Sequence, residues 1–235
     1  FPGTGALQTR ARYFYFIPWM YKALEAKKAP SAEIERRARR FEVDLIDVLA
    51  NSDDPSGAIG RQSRASLQRL PSNIYWHGIG LLRFRHFQGS QDQYHRSLDR
   101  YYRLRSGAKN DDGEPADEVV ANWANLPPAP DDFPTSASFS LTGEEADYLT
   151  ERIVMTAPAS FLAFLMRQTE DFSERIVPWD SDILDTVAAP LRRQLEHARN
   201  FSLVMYGAAV MYNLMLSELV ANEEQVERHR TGFAE

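Results

Sequence analysis

The sequence predicts an all-α protein, a multi-helix bundle around a long, buried helix near the C-terminus, with irregular proline-rich connections. Three observations support this prediction. Apolar residues recur at steps of three and four in several segments, residues 203–216 are almost uninterruptedly apolar, and no segment shows sustained strand alternation. The apolar run is shorter than the roughly 18 residues that indicate a membrane span, so we expect a core helix and no membrane segment.

The first predicted element is an aromatic helix that begins after Thr4, a favourable N-cap residue. Six aromatic residues fall between Tyr13 and Tyr21, and they surround the helix axis. Pro18 removes a backbone donor and is expected to kink the helix. Because aromatic side chains occupy every face, we expect this element to be buried.

Two arginines, Arg10 and Arg12, lie at the start of the aromatic block. Arginine interleaved with aromatic residues suits single-stranded nucleic acid. The alternative, which we favour, is that they form structural ion pairs with internal carboxylates. Glu218, deep along the predicted core helix, is the expected partner of one of them.

Amphipathic spacing predicts a further helix over residues 31–50, and two more helices begin near Ser72 and Gln91. The last pair resembles a helix-turn-helix, although its turn is longer than usual. The helix over 91–105 opens with hydrogen-bonding side chains and carries several arginines. The candidate nucleic-acid-binding residues are Arg83, Arg85, Gln91, Gln93, Arg96, Arg100 and Arg103. The alternative is ordinary packing of a helical hairpin.

Composition divides the chain into three parts: a basic, aromatic-rich lobe (1–110), an acidic proline-rich connection (111–134) and an acidic lobe with the core helix (135–235). Trp123, Leu126 and Phe133 are expected to pin the connection to the surface. A capping box of Thr142 and Glu145 predicts a helix start. We expect one compact unit and a fragment of a longer chain.

Charge follows the same division. Residues 1–110 hold 19 Lys and Arg against 10 Asp and Glu, and residues 111–235 hold 8 against 23, giving net charges of +9 and −15. Only four of the 27 basic residues are lysine. A phosphate-binding surface and pairing between the two halves of the chain both explain this distribution.

The sequence carries no recognisable catalytic or cofactor motif. It has no cysteine, which excludes disulfides and thiolate chemistry, and it lacks phosphate-loop, dinucleotide-binding, HExxH and GxSxG patterns. Its five histidines are scattered without zinc-site spacing. We therefore predict no cofactor, no metal and no catalytic residue, and we expect a cytoplasmic protein.

Four segments together resemble an uncharacterised bacterial family of unknown function. They are FPGTGALQTRARYFYFIPWMYKALE, LPSNIYWHGIGLLRF with GSQDQYHRSL, LPPAPDDFP with FSLTGEEADYLTERI, and HARNFSLVMYGAAVMYNLMLSEL. The resemblance implies an accessory component of an antiphage defence system, encoded beside helicase- and nuclease-like proteins. It implies no activity.

The residue patterns predict a non-catalytic, nucleic-acid-associated or scaffolding subunit, and the resemblance implies that it is an accessory subunit of a bacterial antiphage system. The expected partners are other defence proteins, helicase- or nuclease-like, and DNA. Two alternatives stay open. One is a protein–protein adaptor without nucleic-acid contact, and the other is an unrecognised nuclease or hydrolase.

Overall fold

The computed structural model describes residues 2–106, 119–168, 177, 179 and 186–234. Apart from an isolated bridge between Arg85 and Trp123, these residues contain no β-structure, and the all-α prediction is confirmed. Their eight α-helices are α1 Tyr13–Ala26, α2 Ile34–Ala50, α3 Pro71–Leu81, α4 Gln91–Arg105, α5 Gly143–Thr156, α6 Phe161–Leu165, α7 Ala189–Leu219 and α8 Glu223–Ala234.

The chain divides into two compact units, Phe1–Met166 and Arg167–Glu235. The predicted connection at 111–134 begins outside the described residues, and its part from 119 onward belongs to the first unit. Trp123 and Leu126 are buried there, and Phe133 stacks on Phe16 with ring centroids 5.6 Å apart. The apolar side chains of this stretch thus join the core.

Helix α1 is the centre of the first unit. Ten of its fourteen residues are buried, and Pro18 lies within the helix. The ring of Tyr15 contacts those of Trp19, Phe84 and Tyr148, with centroids 5.6, 5.4 and 6.3 Å away. The aromatic side chains on every face of the helix are covered by neighbouring elements, so the predicted burial of this element is confirmed.

Two predicted helix starts occur as capping boxes. Ser90 caps α4 through Gln93, and Thr142 caps α5 through Glu145. In each case the N-cap hydroxyl accepts from the backbone N–H three residues on, and that residue's side chain accepts from the N-cap backbone N–H. These local bonds fix where α4 begins and therefore which of its side chains face the core.

The second unit contains the helical hairpin of α7 and α8. Ala221 adopts a left-handed conformation in the turn, and Asn222 caps α8 through the backbone N–H of Gln225. Arg230 of α8 pairs with Glu218 of α7 at 3.0 Å. The two helices pack against each other.

The long helix near the C-terminus exists, but the prediction that residues 203–216 form a buried core helix is wrong. Val210 is the one buried residue of that run, and most of the others are exposed. Among the described residues, the short helix α8 is the element that packs most extensively against α7, and most of the run stays exposed. An apolar run indicates that a helix packs against another surface, but it does not indicate which surface that is.

Candidate nucleic-acid interface

An open cleft of about 760 Å³ lies in the first unit, between the end of α1, the end of α4 and residues 120–125. Its basic side chains are Lys22, Lys28, His86 and Arg105. Its apolar floor comprises Tyr101, Tyr102, Trp123 and neighbouring residues. Cations around an apolar floor are the arrangement that binds a phosphate-bearing strand.

The end of α1 positions the lysines. The backbone N–H of Lys28 donates to the carbonyl of Glu25, and that of Ala29 donates to Leu24. Lys28 adopts a positive φ of 47° that ends the helix, while Ala29 is fully buried. Because Ala29 anchors the chain directly after the turn, Lys28 is held at the cleft while its side chain remains exposed to solvent.

A short antiparallel pairing positions the opposite wall. The backbone N–H of His86 donates to the Asn122 carbonyl at 2.8 Å, and that of Ala124 donates to Phe84 at 3.0 Å. These bonds flank the bridge between Arg85 and Trp123. They bring His86 and Trp123 to one cleft from separate parts of the chain.

Glu25 is the acidic group of the cleft, and one of its oxygens is fully engaged. Its Oε1 accepts from the Tyr94 hydroxyl at 2.6 Å, from Asn122 Nδ2 at 3.0 Å and from Trp123 Nε1 at 3.0 Å. Burial, and then the charge of Glu25, raise the pKa of Tyr94 well above its ordinary value, so its hydroxyl remains a donor. Within the described chain, no side chain donates to Glu25 Oε2.

Tyr102 places an unused polar group at the same cleft. Its hydroxyl is buried and has no hydrogen-bond partner among the residues that the structure describes. Burial raises its pKa to about 12, with further contributions from Glu25 and Asp99. The group is thus a neutral hydroxyl that is buried beside the cleft.

Three of the predicted interface residues make structural contacts within the chain. Arg85 is buried with its guanidinium 4.4 Å from the Trp76 ring centroid, and burial lowers its pKa. Gln91 donates to the Tyr21 hydroxyl at 2.7 Å and to Ser72 Oγ at 2.8 Å. Gln93 completes the α4 capping box. We leave these three out of the candidate interface.

The other four predicted residues are exposed. Arg96, Arg100 and Arg103 share the outer face of α4, and Arg83 follows α3 with a positive φ of 57°. Arg96 pairs with Asp92 of its own helix. Between residues 119 and 147, where the sequence is acidic, no carboxylate pairs with Arg100 or Arg103. These two arginines lie on the side of α4 away from Arg105, which lines the cleft.

The arginines of the aromatic block are both paired. Arg12 and Glu145 form a buried ion pair at 2.8 Å, and Arg12 also donates to the Ser138 carbonyl at 3.0 Å. Arg10 pairs with Asp54 at 2.5 Å on the surface. The prediction that Glu218 pairs with one of them is corrected, since Glu218 contacts Arg230. Glu145 is available because its capping role already fixes it beside α1.

Sequence reasoning missed the cleft itself. Lys22, Lys28 and Arg105 belong to two helix ends that meet only in three dimensions, and Trp123 enters from a connection. One signal was present: three of the four lysines lie within seven residues, at the end of an aromatic helix. Such a cluster directly after a buried element indicates a charged rim beside the core.

Two further absences apply to the described part of the chain. No three His, Asp or Glu side chains come together there as a metal site requires. No helix there has the length and hydropathy to cross a bilayer.

A family model matches residues 1–232, and its description is a family of unknown function, DUF6361. No curated protein and no solved structure matches the chain.

Proposed function

The chain belongs to the DUF6361 family, whose description assigns no activity, and we propose from the cleft that it is a non-catalytic subunit that binds nucleic acid. The ligand is an unpaired strand. Its phosphates contact Lys22, Lys28 and Arg105, and a base rests against the apolar floor beside Tyr102.

The observation that supports this proposal is the basic rim. Lys22, Lys28 and Arg105 are exposed, and none of them forms an ion pair with a described carboxylate. Glu25 Oε2 supplies a hydrogen-bond acceptor for a base edge. Arg100 and Arg103 are exposed on the opposite side of α4, where a longer strand that passes around the helix meets them with its flanking phosphates.

The test is binding of fluorescein-labelled single-stranded DNA, followed by anisotropy over a salt series. Lys22→Glu is expected to weaken binding and to make its salt dependence shallower, because phosphate contacts release counterions. Lys27→Glu is the matched control, since Lys27 is exposed close by and does not line the cleft. Equal losses in both variants, or no binding by the unaltered chain, would refute the proposal and favour an adaptor.

A second pair of variants tests the contacts on the opposite side of α4. Arg100→Glu and Arg103→Glu are expected to weaken binding of a long strand more than that of a short one, because only a long strand reaches both regions. The same labelled DNA, incubated with divalent metal ions, is expected to stay intact. Cleavage activity that co-purifies with the protein would contradict the non-catalytic role and support the nuclease alternative.

The setting that we propose is a bacterial antiphage system in the cytoplasm, with helicase- or nuclease-like proteins as partners. Its support is the resemblance of the four sequence segments. Purification of the tagged protein from a native host tests it: we expect such proteins to co-purify in constant ratio. Recovery of the protein without them would remove the defence role and leave the binding proposal standing.

A further inference from the structure

The outer surface of α7 is apolar and exposed over five turns. Helix α8 packs against α7, on which Val210 and Ser217 are buried and Leu214 is half-buried. Beyond these positions, the large apolar residues exposed on α7 are Phe201, Leu203, Val204, Met205, Tyr206, Met211, Tyr212, Met215, Leu216 and Leu219. A continuous exposed apolar surface marks an interaction site.

The side of α7 opposite Val210 and Ser217 has a regular pattern. Its residues follow steps of four and three in strict alternation, the spacing of a coiled-coil seam. They are Phe201, Met205, Ala208, Tyr212, Met215 and Leu219, and all six are exposed. We call this set the outer stripe. Because it lies across the helix from these two buried residues, a partner helix can occupy it while the hairpin stays intact.

We propose that two copies of the chain associate through their outer stripes, with the α7 helices antiparallel. The order of steps is 4, 3, 4, 3, 4, which reads identically in both directions. An antiparallel copy therefore places Phe201 opposite Leu219, Met205 opposite Met215 and Ala208 opposite Tyr212. The smallest residue of the stripe thus faces a large one in both central layers, which fills the space between two helices without a void.

The charges at the two ends of the stripe also favour the antiparallel arrangement. No charged residue lies between 201 and 217, so nothing in the stripe opposes a second copy. Before Phe201, α7 carries three arginines and one glutamate, and from Glu218 to Glu227 the chain carries four glutamates and no basic residue. Antiparallel copies bring the basic start of one helix to the acidic end of the other, whereas parallel copies place like charges together.

The area available suits a stable pair. The stripe is about 28 Å long at about 1.5 Å per residue. Phe201 and Tyr212 are 67% and 62% exposed. With about 150–250 Å² for each aromatic side chain, these rings alone remove roughly 500 Å² from water in the pair of copies. The two methionines and Leu219 of each copy bring the total toward the ~1,200 Å² of a specific interface.

The first test is the oligomeric state of the chain by sedimentation equilibrium, with a matched pair of variants. Met205 lies in the outer stripe and Leu203 lies across the helix from it, and their exposures are similar, at 52% and 58%. We expect the unaltered chain and Leu203→Glu to dimerise. Met205→Glu should raise the dimer dissociation constant by about tenfold or more, because a buried charge without a partner opposes association.

A monomeric unaltered chain, or equal effects of the two variants, would overturn the proposal. A circular dichroism spectrum of each variant checks that α7 is still helical. Since both side chains are more than half-exposed, neither substitution buries a charge within the chain, and a change in association with an unchanged spectrum is not a folding defect.

The second test fixes the direction. The chain has no cysteine, so introduced thiols report without background. Under oxidation, a mixture of Met205→Cys and Met215→Cys proteins should form the mixed disulfide, because these positions face each other across antiparallel copies. Each variant alone should cross-link poorly. Efficient cross-linking of either variant to itself would indicate parallel helices and overturn the proposed arrangement.

Discussion

Helix α1 and the uncharged stretch 201–217 of α7 are both rich in apolar residues, and they have opposite surroundings. Each carries apolar side chains on every face, but α1 is buried among the elements of the first unit, whereas α7 exposes most of its apolar run. The difference is in the neighbours. Aromatic residues from α3, α4, α5 and the 119–141 connection converge on α1, whereas among the described residues α7 packs most extensively against the short helix α8. Composition alone therefore does not distinguish a core helix from an interface helix.

The largest expected contrast comes from matched tyrosines. Tyr15→Ala in α1 should lower the free energy of unfolding by about 3–5 kcal/mol, because it empties a fully buried site. Tyr206→Ala in α7 removes a ring that is mostly exposed and lies off the outer stripe, so we expect a change within about 0.5 kcal/mol. Urea unfolding followed by circular dichroism measures both, and similar losses would erase the distinction between the two helices.

The buried ion pair of Arg12 gives the next contrast. Arg12→Ala leaves Glu145 without its partner at a buried site, at a cost of about 3–5 kcal/mol. Arg10→Ala breaks a surface pair with Asp54 and should cost about 1 kcal/mol or less. Thermal melts monitored by tryptophan fluorescence report mainly on the first unit, which holds three of the four tryptophans. A small shift for Arg12→Ala would show that α1 does not depend on this pair.

Glu42 makes the stability of the first unit depend on pH. Burial raises its pKa from 4.5 to about 7, although the backbone N–H and hydroxyl of Ser72 both donate to it. Between these values the folded form retains a proton that the unfolded form has lost. Stability should therefore fall as pH rises through this window, by up to about 3 kcal/mol, and remain lower above it.

Glu42→Gln should flatten that dependence, and Glu218→Gln, on the exposed surface of α7, should leave it unchanged. Urea unfolding at several pH values between about 4.5 and 7 measures the slope. A slope that survives Glu42→Gln would assign the effect to another group.

Two glycine-to-alanine substitutions give the smallest expected contrast in stability. A Cβ on Gly78 of α3 would lie 2.1 Å from the Gly3 carbonyl oxygen, whereas a Cβ on Gly207 of α7 would meet nothing within 4 Å. Gly207→Ala should therefore stabilise α7 by about 0.5–1 kcal/mol, the ordinary gain in a helix interior. Gly78→Ala should destabilise α3. Thermal unfolding followed by circular dichroism shows whether each substitution raises or lowers stability. A lower stability of Gly207→Ala would indicate close packing at that position.

Local chemistry made part of this structure predictable. The capping boxes at Ser90 and Thr142 depend on residues three apart, and the burial of α1 follows from aromatic residues on every face. The remaining features depend on contacts that no local pattern encodes. In the sequence Arg85 resembles a surface arginine, but in the fold its guanidinium lies over the ring of Trp76. Lys22 and Arg105 form one rim because the ends of α1 and α4 line the same cleft. Glu218 pairs with Arg230, which is twelve residues away in the sequence, and not with Arg10 or Arg12.

Native-state hydrogen exchange at several protein concentrations tests most directly whether α1 is covered by its own chain and α7 by a second copy. The account predicts that the amides of α1 exchange at a rate independent of concentration. Those of α7 should exchange faster in dilute protein and slow as concentration rises, because association stabilises only the covered helix. Protection of α7 that equals that of α1 and does not change with concentration would contradict the account.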